Sequence, residues 1–333
     1  MVASSPAAAR PIDPFEALPP SAVADEPVVT LVAVGDLMLG RSIGATLERD
    51  PSESPFAGVA EQLRAADVTV GNLECALGTG GTAARKGYTF LGPPAAAESL
   101  ADAGFDVLSL ANNHSLDYGV EALTQTTTLL DNVDILHPGA GLDEQTAHAP
   151  ALLTVKGMRL AFLAYVDVPV EWRGFDTASW RATVQQPGLA WADPKLIARD
   201  VGAAKAQADA VIVLLHSGYE GKHAPNDIQR KAARTAIDAG ATLVLGAHPH
   251  VLQPVERYKD GLIAYSLGNF VFDGFTGAGA QSAILTVTLT PSGVRDLQWT
   301  PVVLREGRPQ PAKGSEATAI LKQVQWRSVG VRR

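Results

Sequence analysis

ATLVLGAHPH (241–250) decides the reading of this chain: an apolar run of strand length ends directly in two imidazoles separated by one proline. The pattern recurs. DAVIVLLH (209–216) runs into His216, VVTLVAVGD (28–36) into Asp36, DVTVGNLE (67–74) into Asn72 and Glu74, DVLSLANNH (106–114) into Asn113 and His114, and GLIAYSLGNF (261–270) into Asn269. Between these runs, Ala-rich segments of helical period predict helices near 55–66, 94–103, 119–131, 193–207 and 226–239, several ending near Gly as in AADAG and AIDAG. Apolar strands alternating with helices favour an α/β layered fold over a sandwich or a bundle. Open α/β sheets place ligands beyond the carboxyl ends of their strands, where loops converge on a rigid base, so these six strand ends nominate one site. Further on, SAILTVTLTPSGVRDLQWTPVVL (282–304) alternates apolar and polar residues around Pro-Ser-Gly and reads as an antiparallel hairpin that completes a sheet.

Composition bounds the rest. With 333 residues, 46% of them apolar and 19% charged, the chain can bury a substantial core. Its 27 basic and 35 acidic residues give a net charge of -8, with no basic cluster, so nucleic acid is not expected as a partner. Cys75 is the only cysteine; an internal disulfide and a Cys-rich zinc module are excluded, and a metal site must draw on His, Asp, Glu and Asn. Cys75 itself reads as a small buried residue. The longest apolar runs, such as VIVLL (211–215), are far short of the roughly 20 residues that cross a bilayer, so no membrane span is expected. Residues 1–27, rich in Ala and Pro and without a secretory signal pattern, read as a disordered leader. The expectation is a soluble chain, cytoplasmic as it stands or extracytoplasmic if a leader was removed. A single domain over 28–305 and a solvated basic tail over 306–333 complete the expected organisation.

The strand ends carry metal-site chemistry. His114, His216, His248 and His250 stand there with Asp36, Glu74 and Asn113. Neutral imidazole with carboxylate suits zinc, manganese or iron, whereas calcium would call for oxygen alone. Two histidines at spacing two on an extended turn point to opposite sides, so His248 and His250 can each serve a different ion of a close pair. Such a pair would lower the pKa of a shared water and stabilise oxyanion charge, with His114 protonating the leaving group and Asp117 orienting that imidazole. Plainer roles exist for each: Asp36 and Glu74 as turn or capping carboxylates, Asn113 and Asp117 as caps of the helix beginning near Gly119. His137, His148 and His223 lie in loop-like surroundings and read as surface residues.

At this point GDLMLGR (35–41), GNLECAL (71–77), KGYTF (86–90), ANNHSLDYG (111–119), GAHPHVLQPVE (246–256) and IAYSLGNFVFD (263–273) together resemble the bacterial CapA family, over about residues 28–290 and in the family's order. That family is named for capsule and poly-γ-glutamate synthesis and belongs with the calcineurin-like metallophosphoesterases. The resemblance implies a four-layer α-β-β-α sandwich, two mixed sheets flanked by helices, with a dinuclear metal centre at the sheet edge. It implies that Asp36 is the first ligand aspartate, Asn113 and His114 the Asn-His pair of ligand and general acid, His216 the isolated histidine, and His248 with His250 the closing His-x-His. Two positions depart from the superfamily: Met38 stands where an imidazole is usual, and Asn72 replaces a bridging aspartate, leaving Glu74 as its candidate substitute. A third departure is HSGYEG (216–221), which lacks the tryptophan common in the CapA branch.

Three function classes follow. The first is a metal-dependent hydrolase, with two ions of manganese, zinc or iron, that processes poly-γ-glutamate or a related anionic amide-linked polymer. The second is a metallophosphoesterase of a small phosphorylated metabolite, and the third a non-catalytic component of capsule assembly or export working with that machinery. For the first, Arg41, Arg85 and Lys86 are candidates to recognise substrate carboxylates, and Asn72, Tyr88 and Asn269 are candidate substrate or supporting contacts.

Overall fold

The structure, a computed structural model, describes residues 26–324; all but the last two residues of the expected leader lie outside the described residues. Two mixed sheets face each other. At the centre of the first is Val29–Leu37, parallel to Val68–Leu73, which is in turn parallel to Val107–Ser109. On its other side follow Gln281–Thr290, Gly293–Arg305 and Arg308–Pro311, each antiparallel to the strand before it. The short strand Asn269–Val271 adds in parallel only at the carboxyl end of Val29–Leu37. In the second sheet, Met158–Asp167, Ala210–Ser217, Leu243–Ala247 and Gly261–Ala264 are parallel neighbours. Antiparallel strands Ala151–Val155 and Val255–Tyr258 form its two edges.

The near-continuous apolar character of the second sheet's strands reflects burial on both faces. Leu160, Phe162, Ala164 and Val166 share a core with the first sheet, while Ala161, Leu163 and Tyr165 lie under helices Pro194–Lys205 and Asp227–Asp238. Those helices contribute Ile197, Val201, Ala204, Ala232, Ala233, Ala236 and Ile237. Both begin where the sequence dictates: Asp193 caps the amide of Lys195 ahead of Pro194, and Asn226 with Gln229 forms a reciprocal capping box. Helices Arg41–Arg49, Ala95–Ala103 and Gly119–Asp131 pack with the first sheet through Ile43, Leu47, Leu100, Leu123 and Leu130. The result is a four-layer α-β-β-α arrangement with mixed sheets.

The predicted helices and strands are present, with shifted ends. The run expected as one strand over 261–270 divides into Gly261–Ala264 and Asn269–Val271, which belong to different sheets. That division carries Asn269 across to Asp36. The hairpin Ala151–Asp167, the helix Arg41–Arg49 and the helix Gly314–Val324 were not predicted. From 306, where a solvated basic tail was expected, the chain instead adds Arg308–Pro311 to the first sheet. It then forms a helix whose Ile320 and Val324 are buried against Leu252 and Ala283, because an apolar stripe at spacing four runs through its charged residues. Among the described residues no helix is long and apolar enough to cross a membrane.

Candidate metal centre

The strand register assembles the first half of the site. Asp36 pairs with Asn72 on one side and with Asn269 on the other, setting three polar residues in a row at one end of an apolar sheet. This row needs glycine beside it. A side chain at Gly35 would put its Cβ 1.8 Å from the Gly268 carbonyl, the group that accepts the Asp36 amide at 2.9 Å. The second sheet delivers the other half: His216 lies beside Ala247, and the chain then turns through His248, Pro249 and His250.

That turn is not extended as expected. His248 and His250 have φ of 95° and 55°, left-handed values that cost side-chain-bearing residues energy, of order 1–3 kcal/mol each, unless the surroundings fix them. Here the Asp36 carboxylate accepts the His248 amide at 3.4 Å, and the Pro249 carbonyl accepts the Gly221 amide at 2.8 Å. The two imidazoles still enter different donor groups. His248 groups with Glu74 and His216, His250 with Asp36 and Glu74, and within each group the ligand atoms lie within 4.8 Å of one another. Glu74 belongs to both.

Glu74 is fully buried, and neither carboxylate oxygen has a hydrogen-bond partner. One oxygen stands 3.7 Å from Nε2 of His216, 3.7 Å from Nε2 of His250 and 3.9 Å from Nε2 of His114. His248 Nδ1 is likewise buried without a partner. Buried polar atoms are rarely left unpaired, and several aimed at one point fit a divalent cation. A mixed nitrogen and oxygen donor set suits zinc, manganese or iron.

Electrostatics agree with that donor set. Burial and the neighbouring Asp36 push the Glu74 carboxyl well above the usual range. Burial first, and the other histidines second, hold His216 well below the usual imidazole value and His248 down to about 3. Both imidazoles are therefore neutral, as ligands must be. Burial opposes charge on His250 too, but its hydrogen bond to Asp36 and that residue's charge outweigh burial, and its net shift is upward.

The remaining predicted residues take supporting positions. Asn72 Nδ2 donates to Asp36 Oδ1 at 2.8 Å and lies 3.1 Å from His216 Nδ1, so the amide fixes two donors. Asn113 Oδ1 is 2.8 Å from His216 Nε2, and Asn269 Oδ1 is 2.8 Å from His250 Nδ1. His114 Nδ1 lies 2.7 Å from Asp117 Oδ2, and that oxygen also accepts the Phe90 amide.

Lys86 departs from its expected role. Its fully buried ammonium pairs with Asp117 and Glu171, both at 2.7 Å, and sits 5.0 Å from the Trp180 ring centre, so it is spent inside the protein and not offered to substrate. Arg41 is partly exposed and paired with Asp273 at 3.0 Å; Tyr88 is exposed, stacked on Phe90. Met38 is fully buried, its sulfur accepting the Gly40 amide. Cys75 is buried, which pushes its thiol up to about 12.

His148, expected at the surface, is buried against Tyr165 with Nδ1 2.7 Å from Asp200. Sequence reasoning also missed Asn112, whose side chain donates to the Leu73 carbonyl and accepts the His114 amide, and Glu171, which anchors Lys86. Asn112 could have been noticed from the doubled asparagine of ANNH; Glu171 carries no local signal.

The family profile described as "Bacterial capsule synthesis protein PGA_cap" matches residues 30–274. The chain is similar to the PGA biosynthesis protein CapA of Bacillus subtilis (strain 168), 35% identical over 290 residues, covering 86% of this chain and 74% of that one. It is also similar to the capsule biosynthesis protein CapA of Bacillus anthracis, 32% identical over 304 residues, covering 89% and 72%. Among solved structures it resembles one described as a novel phosphatase from Mycoplasma pneumoniae. The TM-score is 0.53 at 12% identity, over 90% of this chain and 98% of the other, a likeness of fold alone.

Proposed function

From the premise that this chain belongs to the bacterial capsule synthesis protein family, we propose that it is a metal-dependent hydrolase processing an anionic, amide-linked capsule polymer of the poly-γ-glutamate type. One observation carries the hydrolase part: two donor groups share the buried, unpartnered Glu74, and an imidazole held by a carboxylate stands beside them. Asp36, Glu74, Asn113, His216, His248 and His250 would hold two divalent ions. When bound, such a pair supplies a Lewis acid and lowers the pKa of water.

The protein's own groups do the rest. Asn72 and Asn269 keep Asp36, His216 and His250 aimed. Asp117, itself held by Lys86 and the Phe90 amide, keeps a proton on Nδ1 of His114 and leaves Nε2 facing the donor groups. When a peptide-type C–N bond is hydrolysed, water adds its oxygen to the carbonyl carbon and gives up a proton, which His114 Nε2 is placed to accept and then pass to the departing nitrogen. Family membership supports the polymer part, since the Bacillus relatives are named for PGA and capsule biosynthesis.

Incubating the purified protein with zinc, manganese or iron and with poly-γ-glutamate, while following chain length and new amino termini, tests this reading. An aryl phosphate, followed by phenolate release, runs in parallel. Metal-dependent shortening of the polymer is expected. Efficient phosphate release with the polymer unchanged would instead establish the phosphoesterase, and neither activity with metal bound would leave a non-catalytic role in capsule assembly.

A further inference from the structure

A cavity of about 830 Å³ opens beside the metal-ligand turn, and its wall is charged in one sign. Lys222, Arg230 and Lys322 line it together with His223, and no carboxylate does; Glu220 and Asp227, their acidic neighbours in sequence, are not in its wall. In a chain of net charge -8 this is a local segregation of charge. None of the three cations forms an ion pair among the described residues, although Arg230 lies 5.7 Å from the Tyr265 ring centre. The rest of the wall, including Tyr219, Pro225, Pro254 and Ala278, is largely apolar.

Two stretches distant in sequence build most of it: the loop after His216 with the start of helix Asp227–Asp238 that follows it, and the end of helix Gly314–Val324. The loop is tied to the metal centre. Tyr219 follows His216 by three residues, the Gly221 amide donates to the Pro249 carbonyl at 2.8 Å, and Gln253 Nε2 donates to the Lys222 carbonyl at 2.7 Å. These bonds join one wall of the cavity to the His248–His250 turn.

We infer that this cavity is a subsite for the anionic polymer, in which Lys222, Arg230 and Lys322 take successive carboxylates of a γ-glutamyl chain and the apolar wall takes the methylenes between them. The naming of a γ-glutamyl chain rests on the function proposed above; the charge and shape of the site do not. Flexible ammonium groups suit carboxylates at variable spacing, and the guanidinium can take one bidentately. The subsite would hold a long chain by several contacts while the reacting bond sits at the metal centre, so its contribution should grow with chain length.

The test is a binding measurement that needs no turnover. Fluorescently labelled poly-γ-glutamate is titrated with chelator-treated full-length protein at low and moderate salt, following anisotropy. The Lys222→Gln/Arg230→Gln/Lys322→Gln variant should bind about ten-fold more weakly or worse, with a shallower salt dependence. Because Arg230 packs on Tyr265, the Lys222→Gln/Lys322→Gln variant serves as a second probe on exposed side chains and should shift binding in the same direction by less. Equal affinity and salt dependence in the triple variant, or no binding by the unaltered protein, would overturn the subsite. Loss of hydrolysis with this binding pattern intact would instead count against the proposed reaction alone.

Discussion

Replacing Glu74 by Gln should stabilise the metal-free protein and destabilise the metal-bound one. Without metal, the wild-type site confines a fully buried carboxyl with no hydrogen bond next to Asp36, a burden of the kind that costs about 1–3 kcal/mol. The raised position of the Glu74 carboxyl means that proton uptake already relieves part of this cost. The sign follows: a carboxyl whose folded pKa lies above its unfolded value loses stability as pH rises through that range, and an amide does not. At pH 7 the metal-free variant should therefore gain on the order of 1 kcal/mol. With metal at about 100 times its Kd, the wild type gains about 2.7 kcal/mol by mass action, and the variant forfeits most of that because both donor groups include Glu74. The swing between conditions is the mass-action part, about 2.7 kcal/mol, or roughly 4 °C in Tm for a chain of this size. Thermal unfolding of both proteins in excess chelator and in zinc or manganese measures it. Destabilisation by the same amount in both conditions would make Glu74 an ordinary structural carboxyl, and a wild type indifferent to metal would remove the centre altogether.

Three further outcomes are expected. The His248→Ala/His250→Ala double variant should lose most bound metal by elemental analysis, since it removes one imidazole from each donor group; full metal content would sink the assignment. His114→Ala should keep its metal and lose on the order of 100-fold in turnover, whereas Asp36→Ala should lose both. The reverse pattern would exchange their roles. Away from the site, burial works against the Asp200 carboxylate, but hydrogen bonds from His148 and Arg199 outweigh it and hold it below the usual range. Its contribution to stability is thus present above the unfolded aspartate pKa of about 3.9 and lost as pH falls through the lower folded value, so Asp200→Asn should flatten the acid limb of urea stability below about pH 5. An unchanged limb would refute the pairing.

The parts legible in the sequence were those with a local signal. Continuous apolar runs ending in polar residues marked the strand ends that bring Asp36, Glu74, Asn113, His216, His248 and His250 together, because parallel strands share a carboxyl end. What was not legible depends on contacts between distant segments. The split of 261–270 between two sheets is set by the close approach of Gly35 to Gly268, which no period in the sequence announces. The helix Gly314–Val324 looked like a basic tail because its apolar stripe is short, and only Leu252 and Ala283 make it worth burying. Lys86 read as a candidate contact for substrate carboxylates, yet Asp117, Glu171 and two aromatic rings enclose it.

That enclosure also explains how four histidines in one site can do different work. His216 and His248 lie with ring centres 4.8 Å apart, and burial together with the neighbouring histidines keeps both neutral. His250 is steered by Asn269 and Asp36, two residues of the same cross-strand row, so the sheet register orients it. His114 alone among the four is backed by a carboxylate outside the donor groups, and Lys86 balances that carboxylate's charge and fixes its direction. An unopposed Asp117 would be a buried anion that had to find another partner, and an unanchored Lys86 a buried cation with the same need. Glu171 and the Asn113 carbonyl close the network by accepting from the Lys86 ammonium. The chemistry assigned to His114 thus depends on a chain of charges that begins in KGYTF, a motif without a ligand in it.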